Sequence, residues 1–265
     1  MMVFFENIGN LIIRNLLTCI EFLQIVFEAV YWIVVGPFKG KPINTSSVYT
    51  QMVFMGIQSI IIVFFVTFFT GVVLAMQSAH QLSQMGATIY VASLVTISIC
   101  RELGPVLTAL VIAGRIGAAI TAEIGSMNVN EQVEALDTMA IQPVRYLVVP
   151  KLISLFFMLP CLTIIGDISG IFGGYVIGVF NLKINSGLYL QTAYKFLTLE
   201  DIYTGLFKSF IFAMIIALVG SYQGLKTQGG AVGVGKATTI SVVTSFILII
   251  LADCIVTGVF FFWDI

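Results

Sequence analysis

Long apolar runs broken by short polar connectors set the organisation of this chain. Residues 52–76 contain no charged side chain. That is long enough to span a hydrocarbon core of about 30 Å with some tilt. Four more apolar stretches follow, at 87–122, 147–180, 203–222 and 238–263. The first apolar stretch, 8–35, differs from these. Its polar residues Arg14, Thr18, Glu21, Gln24 and Glu28 recur every three or four positions, so they share one helical face. A charged stripe of this kind favours a helix lying in the membrane interface rather than crossing the core. Gly36, Pro37, Gly40 and Pro42 then break it. The pattern predicts an all-α integral membrane fold over residues 1–265 as one domain. It comprises an N-terminal interfacial amphipathic helix and five transmembrane helices, with a polar loop at 181–201 and a Gly-rich loop before the last span.

Composition agrees with a lipid solvent. Hydrophobic residues make up 59% of the chain and charged residues 9%, where soluble domains carry about a quarter charged. Mean hydropathy is +1.07. A net charge of -1 argues against a nucleic-acid surface. Four separated cysteines lie in apolar runs and read as small buried hydrophobes, not a metal or disulfide framework. His80 is the only histidine, so neither a histidine metal site nor a catalytic triad is expected. With the N-terminus inside, inner connectors hold Lys39, Lys41, Arg145, Lys151, Lys226 and Lys236, and outer ones only Lys183 and Lys195. Six against two favours a cytoplasmic N-terminus, and makes 123–145 cytoplasmic.

Chemistry concentrates in two places. Arg101 and Glu102 sit inside a span, just before Gly104 and Pro105. Ionisable groups at membrane depth face a bundle interior or a wet cavity, and Pro105 cannot donate to the Arg101 carbonyl, which loosens the helix there. Arg115 lies further along, where snorkelling and an active role are equally open. The second place is the polar stretch Glu123–Asp137. Asn128 and Glu131 have capping-box spacing, and Val133, Leu136 and Met139 then share a face. That predicts a short acidic amphipathic helix suited to docking into a partner. Gly166, Gly170, Gly174 and Gly178 form a small-residue ladder for helix packing. Gly230–Lys236 nearly fits a phosphate-binding loop, but Ala237 replaces the hydroxyl that would reach magnesium. This chain is therefore expected to bind no nucleotide and no metal. A membrane-embedded enzyme lacks convergent catalytic groups here. The rival transport reading is an ion-coupled secondary transporter relayed by Arg101, Glu102 and Asp253, for which no inverted repeat is visible.

Several of these motifs occur in a specific order: Arg101-Glu102-Leu103-Gly104-Pro105-Val106, Ala113-Gly114-Arg115, Ala122-Glu123-Ile124-Gly125, Glu131-Gln132-Val133-Glu134-Ala135-Leu136, Pro143, Tyr146-Leu147-Val148-Val149-Pro150, and Gly229–Gly235 with Thr238-Thr239. Together they resemble the MlaE (YrbE-type) family of ABC-transporter permeases, from about Thr70 to the end. The resemblance implies a homodimer that moves phospholipid, or a related lipid, between the bacterial inner membrane and the outer envelope; a plastid inner envelope also fits. It implies a cytoplasmic ATPase carrying the ATP and Mg, a periplasmic MCE-domain substrate-binding partner, and often a STAS-domain subunit. It places a coupling helix at 128–139, with Glu123, Asn128, Glu131, Gln132, Val133, Glu134, Leu136 and Met139 at the ATPase. It assigns Arg101 and Glu102 to a lipid cavity, with Leu74 and Gln77 on the preceding helix.

Overall fold

The computed structural model describes residue 17, residues 20–36 and residues 44–263; Arg14, Thr18, Cys19, Lys39 and Lys41 lie outside the described residues. Every described element is helical. Residues 20–34 form α1. Five long apolar helices follow, α2 (Thr45–Gln84), α3 (Thr88–Val129), α5 (Val144–Asn181), α7 (Leu199–Leu225) and α8 (Gly230–Phe262). Two short helices join them, α4 (Gln132–Thr138) and α6 (Ser186–Phe196).

The long helices outrun their apolar segments at both ends. Hydropathy stops at the first polar residue, but backbone pairing continues until a cap or a special φ ends it. So α2 begins where Asn44 Oδ1 accepts the Ser47 N–H, 3.3 Å away. The residues expected as a Gly-rich loop are the first turns of α8, and only Gly229 and Gly230 turn left-handed, at φ 89° and 68°. The expected loop at 181–201 contains α6, started by Asn185 Oδ1, which accepts from Gly187 N at 2.9 Å. Residues 147–180 lie in one continuous helix through Pro160.

Packing centres on α3, α5 and α7, and α2 lies closely against α5. A Cβ on Gly71 of α2 would stand 1.9 Å from the Gly170 carbonyl, and one on Gly173 would stand 2.2 Å from the Phe68 carbonyl. The two backbones touch, as small residues permit. The other glycines of the ladder meet different neighbours. Gly166 faces Thr108, Gly174 faces Val95, and Gly178 cradles the Tyr189 ring of α6. Burial pushes the Tyr189 hydroxyl up to about 12. The cysteines divide: Cys100 is buried, whereas Cys161 and Cys254 are exposed on outward faces rather than in the core.

The bundle has two ends. One gathers α1, α4 and the N-terminal turns of α2 and α5. There α1 seats Ala29 and Trp32 in the core, with Phe22, Val26 and Ile33 against it. Phe22 meets Tyr222 edge-on at 5.6 Å. Glu21 pairs with Lys226, which holds the Glu21 carboxyl below its ordinary value and raises Lys226. The α1 acidic stripe thus turns toward the end of α7. The opposite end carries α6, with Tyr189 and Ala193 against Ala92.

Gly71→Ala drives a carbon into a backbone oxygen, an overpacking that typically costs about 1–3 kcal/mol. The Tm of the detergent-solubilised protein should fall by several degrees. Gly114→Ala, which meets nothing within 4 Å, should leave Tm within a degree of wild type. Lowering the pH through the depressed Glu21 value should loosen α1 locally at Glu21, since that exposed pair contributes only while Glu21 is ionised, with Ala29 and Trp32 still seated. Protease cleavage within α1 should rise over that acid range, and Glu21→Gln should show the same cleavage at neutral pH.

Candidate functional site

The charges expected inside α3 are met from α7 and α8. Residues Ile99–Leu103 form a π-turn, so the backbone widens where Arg101 and Glu102 stand. Pro105 supplies the cause, because it has no N–H for the Arg101 carbonyl. Gly205 of α7 packs onto the Cys100 carbonyl, where a Cβ would come within 2.1 Å. This close approach sets the next turn of α7 beside Glu102.

That turn carries Lys208, whose side chain has no exposed surface. Its Nζ donates to Glu102 Oε2 and to Thr257 Oγ1 at 2.7 Å. It also lies 2.9 Å from Asp253 Oδ1, in an ionic contact off the hydrogen-bond direction. Thr257 in turn donates to Glu102 at 3.3 Å. Three helices thus share one ammonium. Arg101 points the other way, its Nη1 3.4 Å from Asp201 Oδ1. Asp201 is buried and closes the α7 capping box, accepting from Thr198 N at 3.0 Å and Thr198 Oγ1 at 2.8 Å. Asp167 of α5 reaches the same region, admitted by Gly104, on which a Cβ would sit 1.8 Å from Asp167 Oδ1.

Leu74 packs in the cluster that includes Val95 and Ile99, one turn before Arg101. Gln77 is exposed on α2. The ionic group therefore joins Arg101 and Glu102 to α7 and α8 rather than to Leu74 and Gln77. Lys208, Asp201 and Thr257 were not among the expected site residues. The signal was available for Lys208, a lone cation within the apolar run 203–222. Arg115, also on a π-turn, Ala113–Gly117, reaches across to α2. It donates to Ser59 Oγ and to Gln58 Oε1 at 3.3 Å, so it braces two spans instead of snorkelling.

At the opposite end, α4 is a two-turn helix between two left-handed residues, Glu131 and Ala140, both at φ 58°. The expected capping box does not form. Asn128 lies in the last turn of α3 and donates to the Thr227 carbonyl at 2.9 Å, and Glu131 is the left-handed residue that turns the chain. The helix therefore covers 132–138 rather than 128–139. It ends in a Schellman pattern, with Ile141 N donating to Leu136 O and Ala140 N to Asp137 O, each at 2.9 Å. Val133 is buried in the main core and Leu136 packs against it, so neither lies on a free docking face. Glu131, Gln132, Glu134, Asp137 and Met139 remain exposed. Glu123 is engaged by Lys151, 2.6 Å away.

Removing Lys208 leaves two carboxylates facing each other at membrane depth, and breaking a buried pair costs about 3–5 kcal/mol. Lys208→Met should lower Tm sharply. Adding Glu102→Gln and Asp253→Asn to it should recover most of that loss.

This geometry can be set against known proteins. The model of the family described as Permease MlaE matches residues 48–259. A "probable ABC transporter permease protein" of Rickettsia typhi is 41% identical, over 96% of this chain and 98% of that protein. Proteins bearing the same description from Synechocystis sp. and Pyropia yezoensis are 41% and 36% identical, each over 83% of both chains. The likeness runs through α3, α4 and the ionic helices alike, and the chain is a multi-pass, non-catalytic permease subunit belonging to the MlaE permease family.

Proposed function

We propose that this permease moves phospholipid, or a related lipid, between a bacterial inner membrane and a periplasmic MCE-domain partner. A separate cytoplasmic ATPase supplies the energy. The observation that carries this reading is the shared ammonium of Lys208. The lysine is sealed, but the Glu102 side chain is 35% exposed and that of Asp253 22%. Polar groups thus reach the surface of a bundle whose outer faces are mostly apolar. A lipid headgroup would meet them while its acyl chains lie along the neighbouring hydrocarbon surface.

The exposed acidic edge of α4 is the surface suited to the ATPase. Val133 and Leu136 anchor the helix to the core, so a push on α4 is delivered to the bundle and, through the adjoining turn, to the end of α3. ATP binding on the partner can drive transport only by favouring one arrangement of the spans over another. The most apolar stretch of α8 is only 11% buried and that of α2 28%, which leaves apolar surface for lipid and for a second copy of the chain. Membership of an ABC permease family favours this reading over ion-coupled transport through Arg101, Glu102 and Asp253.

The test is co-purification of the tagged full chain, expressed with its ATPase, in mild detergent, with mass spectrometry of bound protein and lipid. Glu131→Lys with Glu134→Lys should cut ATPase recovery at least tenfold and leave bound phospholipid unchanged. Glu102→Ala should lower bound phospholipid and leave the ATPase in place. Full ATPase recovery by the charge-reversed protein would rule out α4 as the docking surface. Phospholipid no higher than on an unrelated membrane protein would rule out the lipid reading.

A further inference from the structure

The α4 end of the bundle holds a cleft that neither the ionic group nor the docking surface uses. Parallel helices α2 and α5 start side by side there, tied by Ser154 Oγ, which donates to the Val48 carbonyl at 2.9 Å. Between their first turns lies a cavity of about 280 Å³, lined by Asn44, Ser47, Gln142, Arg145, Tyr146 and Pro150 among others. A second lobe of about 260 Å³ shares Ser47, Tyr146 and Pro150 and continues inward to Gln51 and Lys151.

The electrostatics of this cleft are one-signed at its mouth. Each helix N-terminus carries a partial positive charge of roughly half a unit, and parallel neighbours bring two of them together. Arg145 adds a full charge on a third π-turn, Val144–Val148. Its guanidinium stacks over the Trp32 ring at 5.4 Å and meets no carboxylate among the described residues. Deeper in, Lys151 is already neutralised by Glu123. Gln51 Oε1 is buried with no hydrogen-bond partner among the described residues; turned over, that amide offers an NH2 donor to the inner lobe. Three positive centres therefore converge at the mouth of a polar cavity, and the carboxylate that lines its inner lobe, Glu123, is taken up by Lys151.

We propose that this cleft binds a phosphate group. Arg145 would hold it by charge-assisted hydrogen bonds, with the Ser47 hydroxyl and the positive ends of the two helices completing the site. The outer lobe lies just below the roughly 300–1,000 Å³ usual for ligand clefts, a size suited to a headgroup rather than an acyl chain. Half-exposed Tyr146 stands at its rim, as amphipathic rings do at a membrane surface. A lipid phosphate in the leaflet on the α4 side and a free phosphate ion share this chemistry. Gln142 lies just beyond Ile141, whose N–H closes α4, so occupancy would bear directly on the α4 connection. The proposal concerns binding alone and stands whether or not the transported substrate is a lipid.

The full chain itself provides the probe. Trp32 and Trp263 are its only tryptophans, so a Trp263→Phe background makes Trp32 emission report on Arg145. In a phosphate-free maltoside detergent, short-chain dihexanoylphosphatidylglycerol should change that emission saturably, and dihexanoylglycerol should not. Binding of the phospholipid at least tenfold tighter than inorganic phosphate assigns the site to a headgroup; equal or tighter binding of inorganic phosphate assigns it to the free ion. Ser47→Leu, which fills the cleft and removes no charge, should weaken either ligand by about tenfold or more. Arg145→Gln should do the same, read by native mass spectrometry because its reporter is altered. Absence of saturation with both phosphate probes, an equal response to dihexanoylglycerol, or wild-type binding by both variants would overturn the proposal.

Discussion

A lysine ammonium with no solvent contact can persist at membrane depth only if its charge is met by oxygen atoms close by. Lys208 donates to Glu102 on α3 and to Thr257 on α8, and the Asp253 carboxylate of α8, 2.9 Å away, adds its charge. In lipid, helices gain little from burying apolar surface against one another. The shared ammonium therefore does what a hydrophobic core does in water. It fixes which turns of α3, α7 and α8 stand together, and the rest of that half of the bundle is arranged around it. The close contact of Gly205 with the Cys100 carbonyl places Lys208 within reach, and the Asp201 cap holds the start of the same helix against Arg101.

Four charged residues of the long helices share a backbone device. Arg101 and Glu102, Arg115, and Arg145 each lie on a π-turn. A π-turn inserts an extra residue into the helical repeat and rotates the turns beyond it. It lets a long polar side chain leave the helix at an angle that regular winding would aim at lipid. Arg115 uses this to brace α2 across the break at Gly56–Ser59, and Arg145 to lie over Trp32. The bends in α3 therefore belong to its polar chemistry.

How much was legible in the sequence depends on which interactions are local. The five spans were readable, because apolar length is a property of consecutive residues. The loosening before Pro105 was readable too, because proline acts on the carbonyl four residues back, and the π-turn stands there. The partners of Arg101 and Glu102 were not, since Asp201, Lys208 and Asp253 lie about a hundred residues or more away and only folding brings them near. The Asn128–Glu131 cap failed for a related reason. Local spacing allowed it, but Asn128 found a tertiary acceptor in Thr227 and Glu131 took up the left-handed turn. Helix α6 was hidden because its apolar face is short and answers to α3 and α5, with Tyr189 fitted against Gly174 and Gly178.

Helix α8 presents most of its length outward, yet it is pinned twice on its inner edge. Near its start, Ser241 Oγ lies 2.8 Å from Thr121 Oγ1; near its end, Asp253 and Thr257 hold Lys208. From Ser241 to Thr257 the rise is about 24 Å at 1.5 Å per residue, most of a membrane's thickness. A stiff rod fastened at two such points cannot slide or tilt by degrees. It must let go of one pin and swing about the other, so whichever polar contact yields first acts as the latch and the remaining one as the fulcrum.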